Sequence, residues 1–139
     1  ADWTRTGWDS IQDLAITNAN AGSVLSNTPL AFRDSWRAGV GANYQWNAAW
    51  KLRVGFAYDK SPVQDSHRTP RLPDDDRRSL AIGAQYTASP QLAFDLGYAH
   101  LFVSDAPSNL LDNPLTRGNL VGTYRSNVNI VSAQLRYRF

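Results

Sequence analysis

The fold class of this chain is indicated most clearly by residues 36–59, WRAGVGANYQWNAAWKLRVGFAYD. From Trp36 to Tyr44, large or apolar residues alternate with small or polar ones, so one face of an extended segment is apolar. The alternation resumes at Trp50 and runs unbroken to the end of the stretch, after a short segment at residues 46–49 that predicts a tight turn. The stretch therefore predicts two antiparallel strands that share one apolar face.

The same period-two alternation recurs along the rest of the chain. The further predicted strands are residues 79–86, 92–99 and 131–139, and a weaker one near Trp8 to Ile16. Together with the first hairpin they make about six strands. The clearer ones approach the roughly 9 to 11 residues with which a tilted strand crosses a bilayer.

Short and long connections alternate strictly between these strands. The short ones are residues 46–49 and 88–91, and the long ones are about residues 17–33, 60–77 and 103–122. Outer-membrane barrels are built in this way, with short turns in the periplasm and long loops outside the cell. A soluble sandwich also alternates its side chains, but it does not require this alternation of connection lengths. We therefore predict an all-β fold, an antiparallel transmembrane β-barrel segment of the bacterial outer membrane.

Aromatic residues are predicted to form two girdles at the membrane interfaces, which Trp and Tyr favour. The interface set comprises Trp36, Tyr44, Trp46, Trp50, Tyr58, Tyr86, Tyr98, Tyr137 and Phe139. Outer-membrane lipid is the partner that this set implies. The aromatic ending at Phe139 also matches the signal through which the barrel-assembly machinery recognises the C-terminal strand of its clients.

Composition excludes several other classes of protein. Every window falls short of the roughly 20 consecutive apolar residues that a membrane-spanning helix needs. All 12 acidic residues are Asp and only Lys51 and Lys60 are Lys, a usage that favours strands and turns over helices. The sequence has no Cys, and its formal net charge of +2 is spread along the chain. It therefore indicates no disulfide framework, no metal site built on thiolates and no nucleic-acid partner.

Six strands are too few to close a membrane barrel, because single-chain barrels begin at about 8 strands. An open sheet would leave unpaired backbone groups in lipid at two edges. We therefore expect residues 1–139 to be the C-terminal part of a longer barrel, or one chain of a barrel assembled from several. The N-terminus lacks the pattern of a secretion signal, which is expected to lie upstream or to have been removed.

One stretch carries a specific resemblance, WKLRVGFAYDKSPVQDSHRTPRLPDDDRRSLAIGAQYTASPQLAFDLGYAHLF at residues 50–102. With RDSWRAGVGANYQWNAAW before it and the aromatic end after it, it resembles the FadL-type family of outer-membrane transporters for long-chain fatty acids and other hydrophobic compounds. The resemblance implies the last six strands of a 14-stranded barrel, with the N-terminal hatch and the early strands absent. It implies passive transport of a hydrophobic small molecule, without a cofactor. A structural or adhesive barrel and a non-transporting truncated remnant are the alternatives.

Charged and polar residues of the strands fall on the inward set, opposite the apolar face. The set is Arg37, Lys51, Arg53, Asp59, Asp95, Gln134, Arg136 and Arg138. Such charges must be hydrated or paired. We predict Arg37 and Arg53 as ligand-binding residues that attract a carboxylate. The alternative is a network of structural salt bridges across the lumen.

The segment RTPRLPDDDRR, residues 68–78, concentrates charge in one long loop. We predict a structural ion network made by Arg68, Arg71, Asp74, Asp75, Asp76, Arg77 and Arg78. The three successive Asp do not have the spacing of an EF-hand, and the arginines compete for their carboxylates, so no metal site is predicted. Loop arginines could also contact phosphates of lipopolysaccharide.

Enzyme activity is not predicted. Ser66, His67 and Asp65 supply the residue types of a hydrolase, but they are adjacent in a loop and the sequence contains no G-x-S-x-G. The two histidines have no partner at zinc-ligand spacing. Leu110, Leu111, Leu115 and Leu120 of the last long loop could touch a ligand, although loop packing explains them as well.

Overall fold

The computed structural model describes residues 1–113 and 118–139 and is all-β in this part. Its strands are β1 (Asp2–Thr6), β2 (Asp13–Thr17), β3 (Val24–Pro29), β4 (Ser35–Gln45), β5 (Trp50–Asp59), β6 (Arg77–Thr87), β7 (Leu92–Val103), β8 (Ala106–Asn113), β9 (Gly118–Tyr124) and β10 (Asn127–Tyr137). A single turn of 3₁₀ helix, Asp65–His67, follows β5. Leu115 lies outside the described residues.

None of the helical structure in the described residues is long and apolar enough to cross a membrane.

Six strands form one antiparallel sheet in the order β1-β4-β5-β6-β7-β10. The remaining strands form two separate hairpins, β2–β3 and β8–β9, within the first and last long connections. The predicted six-stranded antiparallel architecture is confirmed. The sequence pattern does not reveal the two hairpins, which lie within two of the three long connections.

The predicted strand near Trp8 to Ile16 is wrong as a member of the sheet. The sixth strand is β1, whose Asp2 and Thr6 stand opposite Gly39 and Ser35 of β4. Residues 13–17 pair with β3 instead. Alternation shows that a segment is extended, but it does not show which strand supplies its hydrogen bonds.

The two tight turns are closed by polar side chains that hydrogen-bond to the backbone. In the β4–β5 turn, Oδ1 of Asn47 accepts the amide hydrogens of Ala49 and Trp50, each at 2.9 Å. In the β6–β7 turn, Oγ of Ser89 accepts those of Gln91 at 3.2 Å and Leu92 at 3.1 Å. These local bonds fix the register of both hairpins.

The outward face of the sheet is apolar and almost fully uncovered. Leu96 is 63% exposed, and Val131 is 79% exposed. By contrast, the buried hydrophobic residues in the described part are Ala57, Val63, Ala106 and Leu110. A sheet with so little core does not resemble half of a soluble sandwich, and a contiguous apolar face of this size requires an apolar solvent such as lipid.

The inward face carries charged residues near both its periplasmic and its extracellular end, with small residues at mid-height. Lys51 stands opposite Gln85, which stands opposite Asp95, and Arg53 stands opposite Gly83. This register brings charged groups from β5 and β7 onto one face, where they can reach one another.

Candidate functional site

Asp95 is the centre of the inward charge cluster. Its side chain is 11% exposed and forms ion pairs at 2.9 Å with Arg53 of β5 and with Arg136 of β10. Gln85 is its third partner and donates a hydrogen bond at 3.2 Å. Gly83 of β6 has no side chain, so the Arg53 guanidinium can extend across that strand to reach Asp95. The cluster therefore ties β5, β6, β7 and β10 together on the inward face.

Arg37 lies in a different environment, at the extracellular end of the inward face. It stands opposite Asp59, whose carboxylate is 3.6 Å from Arg77. Among the carboxylates whose side chains the structure describes, none forms an ion pair with Arg37. Of the two arginines predicted to bind ligand, Arg53 is therefore paired with Asp95, whereas the guanidinium of Arg37 is free to bind an anionic ligand.

A cavity of about 450 Å³ adjoins Arg37. It lies between β1, the start of β4, the end of β5 and the loop at residues 60–76. Its apolar lining includes Trp8, Phe32, Val63 and Leu72, and the Trp8 and Phe32 rings meet edge to face with centroids 6.3 Å apart. The lining also contains Asp59 and Asp74, which pair with Arg77, and Lys60, which pairs with Asp76. With those charges paired, the apolar walls and the Arg37 guanidinium suit a ligand with an apolar body and an anionic end. Sequence reasoning did not identify this lining, because loop residues carry no period-two signal.

Arg68 organises the extracellular loops from a buried position. Its side chain is 1% exposed and forms ion pairs at 2.8 Å with Asp75 and at 2.9 Å with Asp65. Its Nε donates to the backbone oxygen of Asp74 at 3.0 Å, and its Nη1 donates to that of Pro107. Because Pro107 belongs to β8, this one side chain joins the loop at residues 60–76 to the β8–β9 hairpin.

Asp76 forms a second group of contacts in the same loop. It accepts hydrogen bonds from Tyr58 at 2.6 Å, from Lys60 at 2.8 Å and from the Ser61 amide at 3.0 Å. Asp74 accepts one from the Ser61 hydroxyl at 2.8 Å. Burial opposes ionisation of Asp76, but the hydrogen bonds from Lys60, Tyr58 and Ser61 outweigh it and lower the pKa of this carboxyl. The loop therefore depends on an ionised Asp76.

Acidification is expected to release this contact. The folded pKa of Asp76 is below its ordinary value of 3.8, so its contribution to stability is present above the unfolded-state pKa and is lost as pH falls through the folded value. We expect the NMR chemical shift of the Ser61 amide nitrogen to report the ionisation of Asp76, with a midpoint below pH 3.8. In Asp76→Asn the titration should disappear. A midpoint at or above the ordinary value in the unsubstituted protein would contradict the assignment.

The predicted loop network is only partly assembled in the structure. Arg68, Asp74, Asp75 and Arg77 take part in its ion pairs, the Arg77–Asp74 pair being a long one at 3.9 Å. Asp76 pairs with Lys60 instead. Within the described part of the chain, Arg71 and Arg78 have no ion-pair partner. Arg71 is exposed at the loop surface, and the pleat of β6 turns Arg78 to the outward face, away from Arg77.

The outward aromatic residues form paired contacts near both ends of the sheet. At the periplasmic end the ring centroids of Trp50 and Tyr86 lie 4.9 Å apart. At the extracellular end those of Trp36 and Tyr58 lie 5.0 Å apart. The rest of the interface set lies on the outward face of its strands or beside it, in the turn and at the C-terminus: Tyr44, Trp46, Tyr98, Tyr137 and Phe139. Trp3 of β1, 66% exposed, is a further outward aromatic residue. The sequence prediction misses it because it places the first strand near residues 8–16.

The geometry of the described residues supports neither a hydrolase site nor a metal site. The Ser66 hydroxyl lies 2.9 Å from Nδ1 of His67, but no described carboxylate forms an ion pair with this histidine. Among the residues that the structure describes, no group of three or more side chains could hold a metal ion. Leu110 is 7% exposed and packs within the last loop, whereas Leu111 is 62% exposed.

Comparison with known proteins agrees with this arrangement. The sequence model of a family described as outer membrane protein transport protein (OMPP1/FadL/TodX) matches residues 1–139. The chain belongs to this family. Its FadL resemblance and its outer-membrane β-barrel location are therefore confirmed. The family is one of transport proteins, not of enzymes.

Individual relatives cover most of this chain. It is 31% identical over 134 residues to the 47 kDa outer membrane protein of Pasteurella multocida, which covers 96% of this chain and 29% of that protein. It is 32% identical over 96 residues to a long-chain fatty acid transport protein of Escherichia coli, covering 69% of this chain and 21% of the relative. The crystal structure of a Pseudomonas aeruginosa FadL homologue superposes with a TM-score of 0.87 at 32% identity, covering 97% of this chain and 31% of the homologue. The chain thus spans less than a third of each relative.

Proposed function

We propose that this chain supplies part of the wall and the extracellular loops of a barrel through which long-chain fatty acids or other hydrophobic compounds cross the outer membrane passively. The observation that carries the proposal is the cavity beside Arg37, in which apolar side chains meet a cation with no ion-pair partner in the described residues. Membership of a transport family supports it. So does the similarity to the long-chain fatty acid transport protein of Escherichia coli.

The cavity suits an amphipathic molecule for two physical reasons. The apolar walls at Trp8, Phe32 and Leu72 stabilise the body of the ligand by removing it from water. The guanidinium of Arg37 can form a charge-assisted hydrogen bond to a carboxylate. Arg53 is less suited to this role, since its guanidinium already pairs with Asp95.

The sheet also supports the proposal that more strands complete the barrel. β1 and β10 each have a neighbour on one side only, so each leaves one edge of backbone groups unpaired. Such edges are costly in lipid, where water cannot satisfy them. We therefore propose that further strands and a hatch segment of the same polypeptide close the barrel, and that β10 is the strand presented to the barrel-assembly machinery.

Arg37→Gln tests the proposed site. The protein purified from the outer membrane would be reconstituted into vesicles, and uptake of a labelled long-chain fatty acid would be measured against its uncharged methyl ester. Uptake of the acid by the variant should fall about tenfold, the effect of losing one charge-assisted hydrogen bond, while uptake of the ester should not change.

Arg53→Gln is the matched control, an arginine on the same face that pairs with Asp95. It should leave the difference between acid and ester uptake unchanged. An equal loss of fatty-acid uptake in both variants would refute the assignment of Arg37 but would not contradict the proposed transport. No uptake above empty vesicles by the unsubstituted protein would favour a structural or adhesive barrel, or a non-transporting remnant.

A further inference from the structure

The outward face of β6, β7 and β10 carries a polar patch near its extracellular end. The patch consists of Arg78, His100, Asn127 and Asn129, bordered by the Tyr98 hydroxyl. Arg78 stands beside Phe102, which stands beside Asn127, and His100 stands beside Asn129. The neighbouring residues on this face are apolar and exposed, namely Leu80, Ile82, Leu96 and Val131. The patch therefore interrupts a surface that otherwise faces lipid.

Hydrogen bonds order the neutral part of this patch. Oδ1 of Asn129 accepts from the Tyr98 hydroxyl at 2.7 Å and from Nδ1 of His100 at 2.7 Å. An amide oxygen only accepts, so Nδ1 of His100 carries the hydrogen. The His100 ring also packs against Phe102, with ring centroids 4.2 Å apart. Both side chains are thus held in place, and the described residues provide no hydrogen-bond partner for the Asn129 amide nitrogen or for Nε2 of His100.

Arg78 adds a positive charge to the patch. It is exposed, and no acidic side chain that the structure describes forms an ion pair with it. Asp76, two residues before it, is engaged by Lys60 and Tyr58. A guanidinium on the lipid face is strongly destabilising at the middle of the bilayer and costs little at the interface. Arg78 must therefore lie at the level of the headgroups, where it can meet an anion.

We propose that this patch binds the phosphorylated sugar headgroup of an outer-leaflet glycolipid of the lipid A type. Arg78 binds the phosphate, and Asn129 and His100 hydrogen-bond to sugar hydroxyls. Arg78 and His100 are diagonal neighbours on adjacent strands, roughly 7 to 8 Å apart at their backbones, a separation that one phosphorylated sugar can bridge. Leu80, which stands opposite His100, and Ile82 follow Arg78 along the outward face of β6 and contact the acyl chains. A phospholipid has no sugar hydroxyls to which Asn129 and His100 could hydrogen-bond, so the glycolipid is the better match.

Binding of lipid A to the protein purified from the outer membrane tests this proposal. Native mass spectrometry would measure the affinity for lipid A, for lipid A without its phosphates, and for phosphatidylglycerol. Arg78→Gln should weaken lipid A binding about tenfold, and removal of the phosphates should weaken binding to the unsubstituted protein similarly. Asn129→Ala should reduce the preference for lipid A over phosphatidylglycerol. Arg71→Gln, an exposed arginine of the loop, is the control and should bind lipid A normally.

The outcomes separate the parts of the proposal. Equal affinities in Arg78→Gln and Arg71→Gln would overturn the role of Arg78. Equal affinities of the unsubstituted protein for lipid A and phosphatidylglycerol would overturn recognition of the sugar. The dephosphorylated lipid is tested on unsubstituted protein, so a poorly folding variant does not leave the phosphate assignment untested. The test is independent of transport, because it measures lipid binding and not uptake, and Arg78→Gln and Asn129→Ala change residues of the outward face only.

Discussion

Asp95→Ala is expected to lower the free energy of unfolding by about 3 kcal/mol, because it leaves two arginines on the inward face without their common partner. The pairs to Arg53 and Arg136 are both 2.9 Å long, and the Asp95 side chain is 11% exposed. The arginine side chains are 43% and 45% exposed, which allows them to regain water and keeps the loss at the lower end for buried pairs. Urea unfolding in vesicles, followed by tryptophan fluorescence, measures the effect.

Gln134→Ala is the control for this prediction. Gln134 stands directly opposite Asp95 on β10, yet it is not among the groups that bond to Asp95. Its loss should cost well under 1 kcal/mol, as is usual for a side chain outside such a network. In a double-mutant cycle, Arg53 and Asp95 should show a coupling energy of about 1 kcal/mol or more. A loss in Asp95→Ala no larger than that in the control would mean that the cluster does not stabilise the sheet.

Arg68→Met is expected to open two extracellular loops while leaving the strands of the sheet intact. It removes a buried guanidinium that pairs with Asp65 and Asp75 and donates to Pro107. Breaking one side of a buried ion pair costs about 3 kcal/mol, which corresponds to roughly a hundredfold faster local opening. Hydrogen exchange read by mass spectrometry should show this acceleration in residues 61–76 and at the start of β8, and not in β5 to β7.

Arg71→Met provides the matched comparison, since Arg71 is an exposed arginine in the same loop. Its exchange pattern should equal that of the unsubstituted protein. Acceleration confined to residues 61–76 would show that Arg68 holds its own loop but does not hold the β8–β9 hairpin. Unchanged exchange in Arg68→Met would show that other contacts hold both.

Most of the main sheet follows from local pattern. Turn residues such as Asn47 and Ser89 close hairpins by bonding to their own backbone, so the β4–β5 and β6–β7 pairs need only nearby sequence. The first strand was misplaced because β1 has only 5 residues, and because the extended residues 13–17 present the same alternation inside a hairpin. Alternation records burial on one side and does not identify the partner strand.

The candidate sites were less accessible from sequence. The alternation of inward and outward residues predicts that Arg37 and Arg53 lie on the same face. It does not show that Arg53 extends across Gly83 to reach Asp95, or that Arg37 lies beside a cavity. The grouping of charges in residues 68–78 did not show that Arg68 is buried or that Arg78 turns outward. Long-range contacts and the direction of the pleat decide these outcomes.

The family follows from a specific resemblance centred on residues 50–102. The antiparallel strands, their inward and outward faces and the tight turns can be read from local sequence. These properties depend on residues close together in the chain, whose spacing of two matches the pleat of a strand. Three-dimensional contacts determine which charges are paired, that two hairpins lie within the loops, and that Arg68 of one loop bonds to Pro107 of another. These contacts join residues as many as 42 positions apart, and their formation depends on strand register and on space between side chains.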